Sequence, residues 1–86
     1  MTYAVEFTKS AQKELGKLDN QTVLRVTRAI YKLANNPRIG KVRPMVGSKN
    51  WRLRVGDYRV IYDIQDSKLV VIIVRIRHRS KVYKGL

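Results

Sequence analysis

The sequence predicts an α+β domain in which two antiparallel helices pack on one face of a twisted, mainly antiparallel four-stranded sheet. Three observations support this class and the element order β-α-α-β-β-β. The second half of the chain alternates between apolar and polar residues, which is typical of strands. Two earlier stretches carry apolar residues at helical spacing. The 86 residues suffice for one small core, so residues 1–86 are expected to form a single domain.

The first 37 residues predict one strand followed by two capped helices. Residues 2–7 alternate in polarity, and Thr8 is expected to cap a helix that runs through Leu18. Asp19 or Asn20 caps the second helix, which the run Asn35-Asn36-Pro37 ends. The apolar stripes are Ala11, Leu15 and Leu18 in the first helix and Val23, Val26, Ile30 and Leu33 in the second. Residues 38–49, rich in Gly, Pro and basic side chains, are expected to form a loop.

A hairpin is predicted where residues 51–55 and 58–64 alternate on either side of Gly56-Asp57. Glycine in first place suits a type II′ turn, and a two-residue turn puts Arg54 directly opposite Arg59. Like charges so close to each other repel. We therefore expect an anion to bind there.

The third strand of the second half, residues 69–77, begins as an unbroken apolar run and ends in alternating arginines. The length of the loop before this strand decides which of its side chains point to which face of the sheet, because a shift of register by one residue exchanges the two faces. We prefer a three-residue loop, Gln65-Asp66-Ser67, to a two-residue loop, because it separates apolar from basic side chains. One face is then apolar: Trp51, Leu53, Val55, Tyr58, Val60, Tyr62, Ile64, Val70, Ile72, Val74 and Ile76. The other carries Arg52, Arg54, Arg59, Arg75 and Arg77 around Ile61, Val71 and Ile73.

The charge balance indicates a polyanionic partner. Lysine and arginine total 19 against 6 acidic residues, a formal net charge of +13, and such an excess favours nucleic acid or an acidic protein. Because the chain has no cysteine and one histidine, a protein-built metal site is not expected. No cofactor is expected either. Residues 1–7 lack a signal-peptide core and no apolar run could span a membrane, so a cytoplasmic location is expected.

Other residues are candidates for the same interface. Arg75 is a candidate RNA contact, and so are the basic residues that flank the strands: Lys41, Arg43, Lys49, Arg79 and Lys81. Tyr83 could stack on an unpaired base or pack as a core aromatic. His78 points by parity to the core side, where capping or solvation is expected, although it remains a candidate acid or base because it titrates near neutral pH. The alternative to a functional interface is a charged sheet face that only keeps the domain soluble.

Three segments resemble one family. NPRI at residues 36–39, WRLRVGDYRVIY at 51–62 and RHRSKVY at 77–83 together resemble the RelE/ParE superfamily of toxins from bacterial toxin-antitoxin systems, and most closely its RelE branch. The resemblance covers nearly the whole chain. It implies a toxin that enters the ribosomal A site and cleaves mRNA there, and an acidic antitoxin, encoded beside it, that neutralises it.

The resemblance also assigns residues to the site. Arg52 and Arg54 match the two basic residues of the first hairpin strand, and Arg59, Arg77 and Tyr83 match the remaining catalytic positions. The implied reaction is attack of an RNA 2′-hydroxyl on its own phosphate, which requires alignment, charge stabilisation and proton transfer. The RelE pattern has lysine at one or both first-strand positions. Arginine stays protonated, so the general base is left open.

Two other functions remain open from the sequence. A ParE-like toxin of the same fold would inhibit DNA gyrase without cleaving RNA. A catalytically inactive module would only bind RNA or an antitoxin. Hydrolase triads, phosphate-binding glycine loops and paired glycosidase carboxylates are disfavoured, because no residues stand at the required spacings.

Overall fold

The computed structural model describes residues 2–38, 42–44 and 49–82, with the backbone alone for 42–44 and 82. The elements in chain order are β1 (Ala4–Phe7), α1 (Lys9–Gly16), α2 (Asn20–Asn35), β2 (Val42–Pro44), β3 (Trp51–Val55), β4 (Tyr58–Gln65), a 3-10 turn (Asp66–Lys68), β5 (Val70–His78) and α3 (Arg79–Val82). Within these ranges, no helix combines the length and the apolar character that crossing a membrane requires.

The sheet has the strand order β1-β5-β4-β3-β2, with β1 parallel to β5 and the other pairs antiparallel. The predicted α+β class and the packing of two helices on a mainly antiparallel sheet are confirmed. One addition lies inside the predicted 38–49 loop, where β2 pairs with the outer edge of β3. A sheet edge offers unpaired N–H and C=O groups, and this short strand satisfies part of them.

Side-chain caps begin both long helices. The Thr8 hydroxyl oxygen accepts a hydrogen bond from the Ala11 N–H at 3.1 Å, as predicted. Asp19, rather than Asn20, caps α2 by accepting from the Thr22 N–H at 3.4 Å. The first helix ends at Gly16, two residues before the predicted Leu18.

The core lies between the helices and one sheet face. Its buried members are Ala11, Val26, Ile30, Leu33, Leu53, Val60, Tyr62, Val71, Ile73 and Ile76. Tyr62 is fully buried, and its hydroxyl donates to the Pro37 carbonyl oxygen at 2.7 Å, so the segment just after α2 is held against the centre of the sheet. Burial raises the pKa of Tyr62.

A β-bulge changes which residues in the first part of β5 point to the core, and the prediction for that part was wrong. Ile61 pairs with Arg75 but the next residue, Tyr62, pairs with Ile73, so Val74 has no partner on β4. An extra residue on one strand reverses the parity beyond it. As a result Val71 and Ile73 are buried in the core, whereas the prediction assigned them to the arginine side.

The same bulge moves Val70 and Ile72 to the face opposite the core, so their predicted core positions were wrong. The predicted three-residue loop 65–67 was also wrong. Strand β4 continues through Gln65, and residues 66–69 connect it to β5 through a 3-10 turn that ends at Leu69 with φ of 53°.

Candidate nucleic-acid interface

The hairpin between β3 and β4 creates the centre of the site. Gly56 has φ of 56°, and Asp57 is not among the described residues with positive φ, which agrees with the predicted type II′ geometry. Arg54 is the direct cross-strand partner of Arg59, as predicted.

Register places the basic residues of three strands on one sheet face, here called the arginine face and defined by Arg52, Arg54, Arg59, Arg75 and Arg77. Its outer row, beside the Gly56 turn, runs Arg54, Arg59, Arg77 across β3, β4 and β5. Its inner row runs Arg52, Ile61, Arg75. Strands lie about 4.8 Å apart, so the three guanidinium groups of the outer row start from neighbouring backbone positions.

The arginines of the hairpin differ in how far they reach into solvent. Arg54 is exposed, whereas Arg52 and Arg59 are half-buried. Arg59 bends over the turn, where its Nη1 donates to the carbonyl oxygens of Gly56 at 3.0 Å and Tyr58 at 2.9 Å. The sequence pattern predicts the face of Arg59 but carries no signal for this contact, which follows from the local turn geometry.

The arginines of β5 contact a glutamate from α1. The Arg75 Nε lies 3.2 Å from Glu14 Oε1, and its Nη2 lies 3.2 Å from Oε2. The Arg77 Nε lies 3.9 Å from Glu14 Oε2, and the Arg77 side chain is only 18% exposed. No periodic pattern in the sequence pointed to this carboxylate, because Glu14 precedes Arg75 by 61 residues.

The charge of the face changes along the strands. Beyond the inner row, Asp63 on β4 and Glu6 on β1 both pair with Ile72, which puts the two carboxylates on the same side as the arginines. Asp63 follows Arg59 by four positions, or about 13 Å along an extended strand. The face is therefore more positively charged at the end beside the Gly56 turn than at the other end.

The remaining predicted contacts lie in several places. Arg79 begins α3 beside the turn, where its N–H donates to the Asp57 carbonyl at 2.7 Å and its Nε lies 3.8 Å from the Asp57 carboxylate. Lys81 is exposed on α3, and Lys49 is exposed just before β3. Arg43 pairs with Arg52 in the backbone register of β2 and β3. Lys41 and Tyr83 lie outside the described residues.

His78 stands on the face opposite the arginines, as its parity predicted. It pairs with Tyr58 across β4 and β5, and the two rings meet edge to face with centroids 5.5 Å apart. Its Nδ1 lies 2.9 Å from the Ser80 hydroxyl and accepts from the Ser80 N–H at 3.3 Å. These contacts match the capping role, and the register directs the imidazole away from Arg59 and Arg77.

A second polar cluster lies at the far end of the sheet and joins the chain after α2 to the β4–β5 connection. Arg38 donates from both Nη atoms to the Asp66 carboxylate at 3.1 and 2.9 Å, and the Tyr3 hydroxyl donates to it at 2.7 Å. Chiefly through the Arg38 hydrogen bonds, the pKa of Asp66 falls to about 2. The Arg38 guanidinium also lies 5.6 Å from the Trp51 ring centroid. This cluster fixes local structure away from the arginine face.

The chemistry of the face is that of anion binding. Arginine offers planar paired donors that match phosphate oxygens, and its charge does not titrate near neutral pH. Among the described residues, no group of three or more His, Cys, Asp or Glu side chains could hold a metal ion. The arrangement can orient a phosphate and stabilise added negative charge on it, but the arginines cannot accept a proton.

Comparison with known proteins gives the family. A family model described as the ParE toxin of type II toxin-antitoxin system, parDE, matches residues 5–83. Toxin RelG of Mycobacterium tuberculosis is 34% identical over 86 residues, covering 98% of this chain and 99% of that protein. The mRNA interferase toxin RelE of Escherichia coli K12 is 32% identical over 87 residues, covering 96% of this chain and 92% of the relative.

Solved structures agree with the sequence relatives. The toxin-antitoxin complex RelBE2 from Mycobacterium tuberculosis superposes with a TM-score of 0.82 at 30% identity, covering 92% of this chain and 100% of the matched chain. The intact Escherichia coli RelBE toxin-antitoxin complex gives a TM-score of 0.77 at 25% identity, covering 88% and 95%. The chain therefore belongs to the RelE/ParE superfamily of toxins of type II toxin-antitoxin systems.

Proposed function

We propose that this toxin is a ribosome-dependent mRNA endonuclease that cleaves mRNA in the A site and is neutralised by a cognate acidic antitoxin. The observation that carries the proposal is the outer row, in which Arg54, Arg59 and Arg77 come from three adjacent strands onto one face. Repulsion within such a row is relieved when a phosphate binds. The name of the Escherichia coli relative, an mRNA interferase toxin, supports this choice of target.

The reaction is an internal phosphoryl transfer. The 2′-hydroxyl loses its proton, its oxygen bonds to the adjacent phosphorus, the bond from phosphorus to the 5′-oxygen breaks, and that oxygen takes up a proton. The products are a cyclic phosphate and a free 5′-hydroxyl. Arg54, Arg59 and Arg77 align the phosphate and stabilise the charge that builds up on it, as preorganised donors do.

Proton transfer requires other groups, because guanidinium stays protonated at ordinary pH. His78 faces away from the outer row and receives no part in the proposed reaction. Tyr83 is proposed to stack on a base of the bound codon. None of the five arginines can act as the base, so we expect the ribosome to supply ordered RNA groups for this role. Cleavage should therefore occur on the ribosome, with little cleavage of free RNA.

The net charge of +13 supports a ribosomal target, because it attracts the toxin to RNA from a distance. Arg43, Lys49, Arg75, Arg79 and Lys81, with Lys41, are proposed as further RNA contacts. The antitoxin is proposed to be acidic where it binds, and either to cover the arginine face or to displace the tail from Ser80 to Leu86. Structural neighbours that are complexes with antitoxins named RelB support such a partner.

To test the nuclease function, the chain is expressed from a tightly controlled promoter and the 5′ ends of cellular mRNA are mapped by primer extension. Wild type and the control Arg28→Ala, on the exposed side of α2, are expected to produce new ends inside translated codons. Arg59→Ala is expected to lose them, and Arg54→Ala serves as a second variant because Arg59 also bonds to the turn. New ends that persist in both variants would contradict the assigned site.

One alternative has an observation in its favour. The matching family model is described as a ParE toxin, so a gyrase inhibitor that leaves mRNA intact is the second candidate. Growth arrest with intact mRNA and gyrase-dependent DNA breaks would replace the nuclease proposal with this one. Growth arrest with neither would favour a module that only binds RNA.

A further inference from the structure

Among the described residues, no strand pairs with the last part of β5 on one of its edges. Strand β1 pairs with β5 only as far as Phe7 with Ile73, whereas β5 continues to His78. Helix α1 follows β1 directly and lies along this uncovered edge. Thr8 bridges the junction, because its N–H donates to the Ile73 carbonyl at 3.0 Å and its hydroxyl donates to the Val74 carbonyl at 2.7 Å.

Glu14, six residues further along, completes the edge. Its Oε1 accepts from the Ile76 N–H at 2.9 Å, where a neighbouring strand would otherwise supply a carbonyl. The same carboxylate accepts from Arg75 at 3.2 Å and lies 3.9 Å from the Arg77 Nε. One side chain therefore binds the backbone between the two arginines and both of their guanidinium groups.

The position of this carboxylate has a cost for RNA binding. A negative charge beside a phosphate site repels the phosphate, so a site that only bound RNA would be better without it. Glu14 is also largely withdrawn from solvent, with its side chain 20% exposed. Ionised hydrogen bonds in such surroundings are stronger than in water. Affinity for RNA therefore does not explain why a carboxylate lies at this position, whereas the orientation of its two arginine partners does.

Arg77 is the partner that needs orienting. It shares the outer row with Arg59 and Arg54, and their repulsion pushes its guanidinium towards solvent. The attraction of Glu14 acts in the opposite sense and holds Arg77 at the sheet surface before any phosphate arrives. Resting on the proposed function, we propose that Glu14 is the positioning residue for Arg77 in phosphate activation.

The test is single-turnover cleavage of ribosome-bound mRNA by Glu14→Gln. Glutamine keeps an oxygen for the Ile76 N–H but loses the charge that holds Arg77. We expect the rate at saturating ribosome concentration to fall on the order of tenfold, because misalignment slows the chemical step. The half-saturating concentration should stay equal or fall, since the formal net charge rises by one. Thermal unfolding shows whether the variant is folded.

The matched control is Asp66→Asn, which removes one carboxylate from an ion pair at the far end of the sheet and should leave the rate unchanged. A loss of rate equal in both variants, or a Glu14→Gln rate equal to wild type, would overturn the inference. In an Arg77→Lys background, Glu14→Gln should add little further loss if it acts through Arg77. A full additional loss there would also overturn the inference.

The two proposals fail in different ways in this assay. Absence of cleavage by the wild-type protein would overturn the nuclease function, and the inference with it. Cleavage by wild type that Glu14→Gln leaves unchanged would overturn the role of Glu14 alone.

Discussion

Arg54 on β3 lies directly across from Arg59 on β4, so two like charges are cross-strand partners beside the turn of the hairpin. Arg77 continues the same row on β5. Directly opposed like charges destabilise a sheet. The domain therefore gives up stability at the place where the proposed phosphate binds, and the stability of variants can reveal this relationship independently of activity.

Substituting Arg54 should stabilise the fold while it impairs the toxin. Arg54→Gln removes one charge of the opposed pair, and we expect the free energy of unfolding to rise by roughly 0.5 kcal/mol in low salt. Urea denaturation measures the change. High salt should shrink it, because exposed charges are screened. Arg28→Gln on α2 is the control for net charge, and an equal gain from both variants would show that the pair is not the cause.

The β-bulge makes opposite predictions for two neighbouring isoleucines. Ile73 is fully buried in the core, so Ile73→Ala should lower the free energy of unfolding by roughly 2–5 kcal/mol. Ile72 is half-buried on the other face, and Ile72→Ala should lower it by roughly half as much or less. Denaturant unfolding of both variants checks the order. A larger loss for Ile72→Ala would support the unbulged register instead.

The turn glycine should tolerate a methyl group worse than the helix glycine does. Gly56 has φ of 56°, where a side chain is strained, so Gly56→Ala should destabilise the domain by roughly 1–2 kcal/mol. Gly16 ends α1 with open space where an added Cβ would lie, and Gly16→Ala should stabilise the domain by up to about 1 kcal/mol. Thermal melts compare the two. Equal effects would argue against the assigned turn.

Acid should weaken the Asp66 cluster within a defined range of pH. The folded-state pKa of Asp66 is about 2, below its ordinary 3.8, so its contribution is complete above the ordinary value and is lost as pH falls through the folded value. We expect the unfolding free energy of wild type to fall more steeply over this range than that of Asp66→Asn. Urea titrations at several acidic pH values test this. Identical pH slopes would exclude the contribution.

The parts of the fold that depend on neighbours in sequence were predictable. Thr8 and Asp19 cap helices through residues three positions away, and the Gly56-Asp57 turn sets the register of its own hairpin. The parts of the outer and inner rows that lie on β3 and β4 follow from parity once that turn is known, because cross-strand partners share a face. Local pattern therefore sufficed for the three arginines of the hairpin, whereas the facing of the two arginines of β5 also depends on the β4–β5 connection and on the bulge at Val74.

The features that sequence reasoning missed depend on distant contacts or on positions without a pattern. Residues 70–74 are all apolar, so parity offered no signal for a bulge at Val74. Glu14 meets Arg75 across most of the chain, and no periodicity connects the two. Arg59 turns back onto the hairpin carbonyls rather than extending outward. Tertiary packing decided the first two outcomes, whereas the Arg59 contact follows from the geometry of its own turn.

Cleavage of a labelled mRNA on purified ribosomes tests the function of the arginine face most directly. With wild type and Arg28→Gln we expect cuts within the A-site codon that leave a cyclic phosphate and a 5′-hydroxyl, and little cutting of free RNA. Arg54→Gln should slow the reaction on the order of a hundredfold, the typical loss of one preorganised donor. Intact mRNA with wild type, or unchanged cleavage by Arg54→Gln, would contradict a nuclease site on this face.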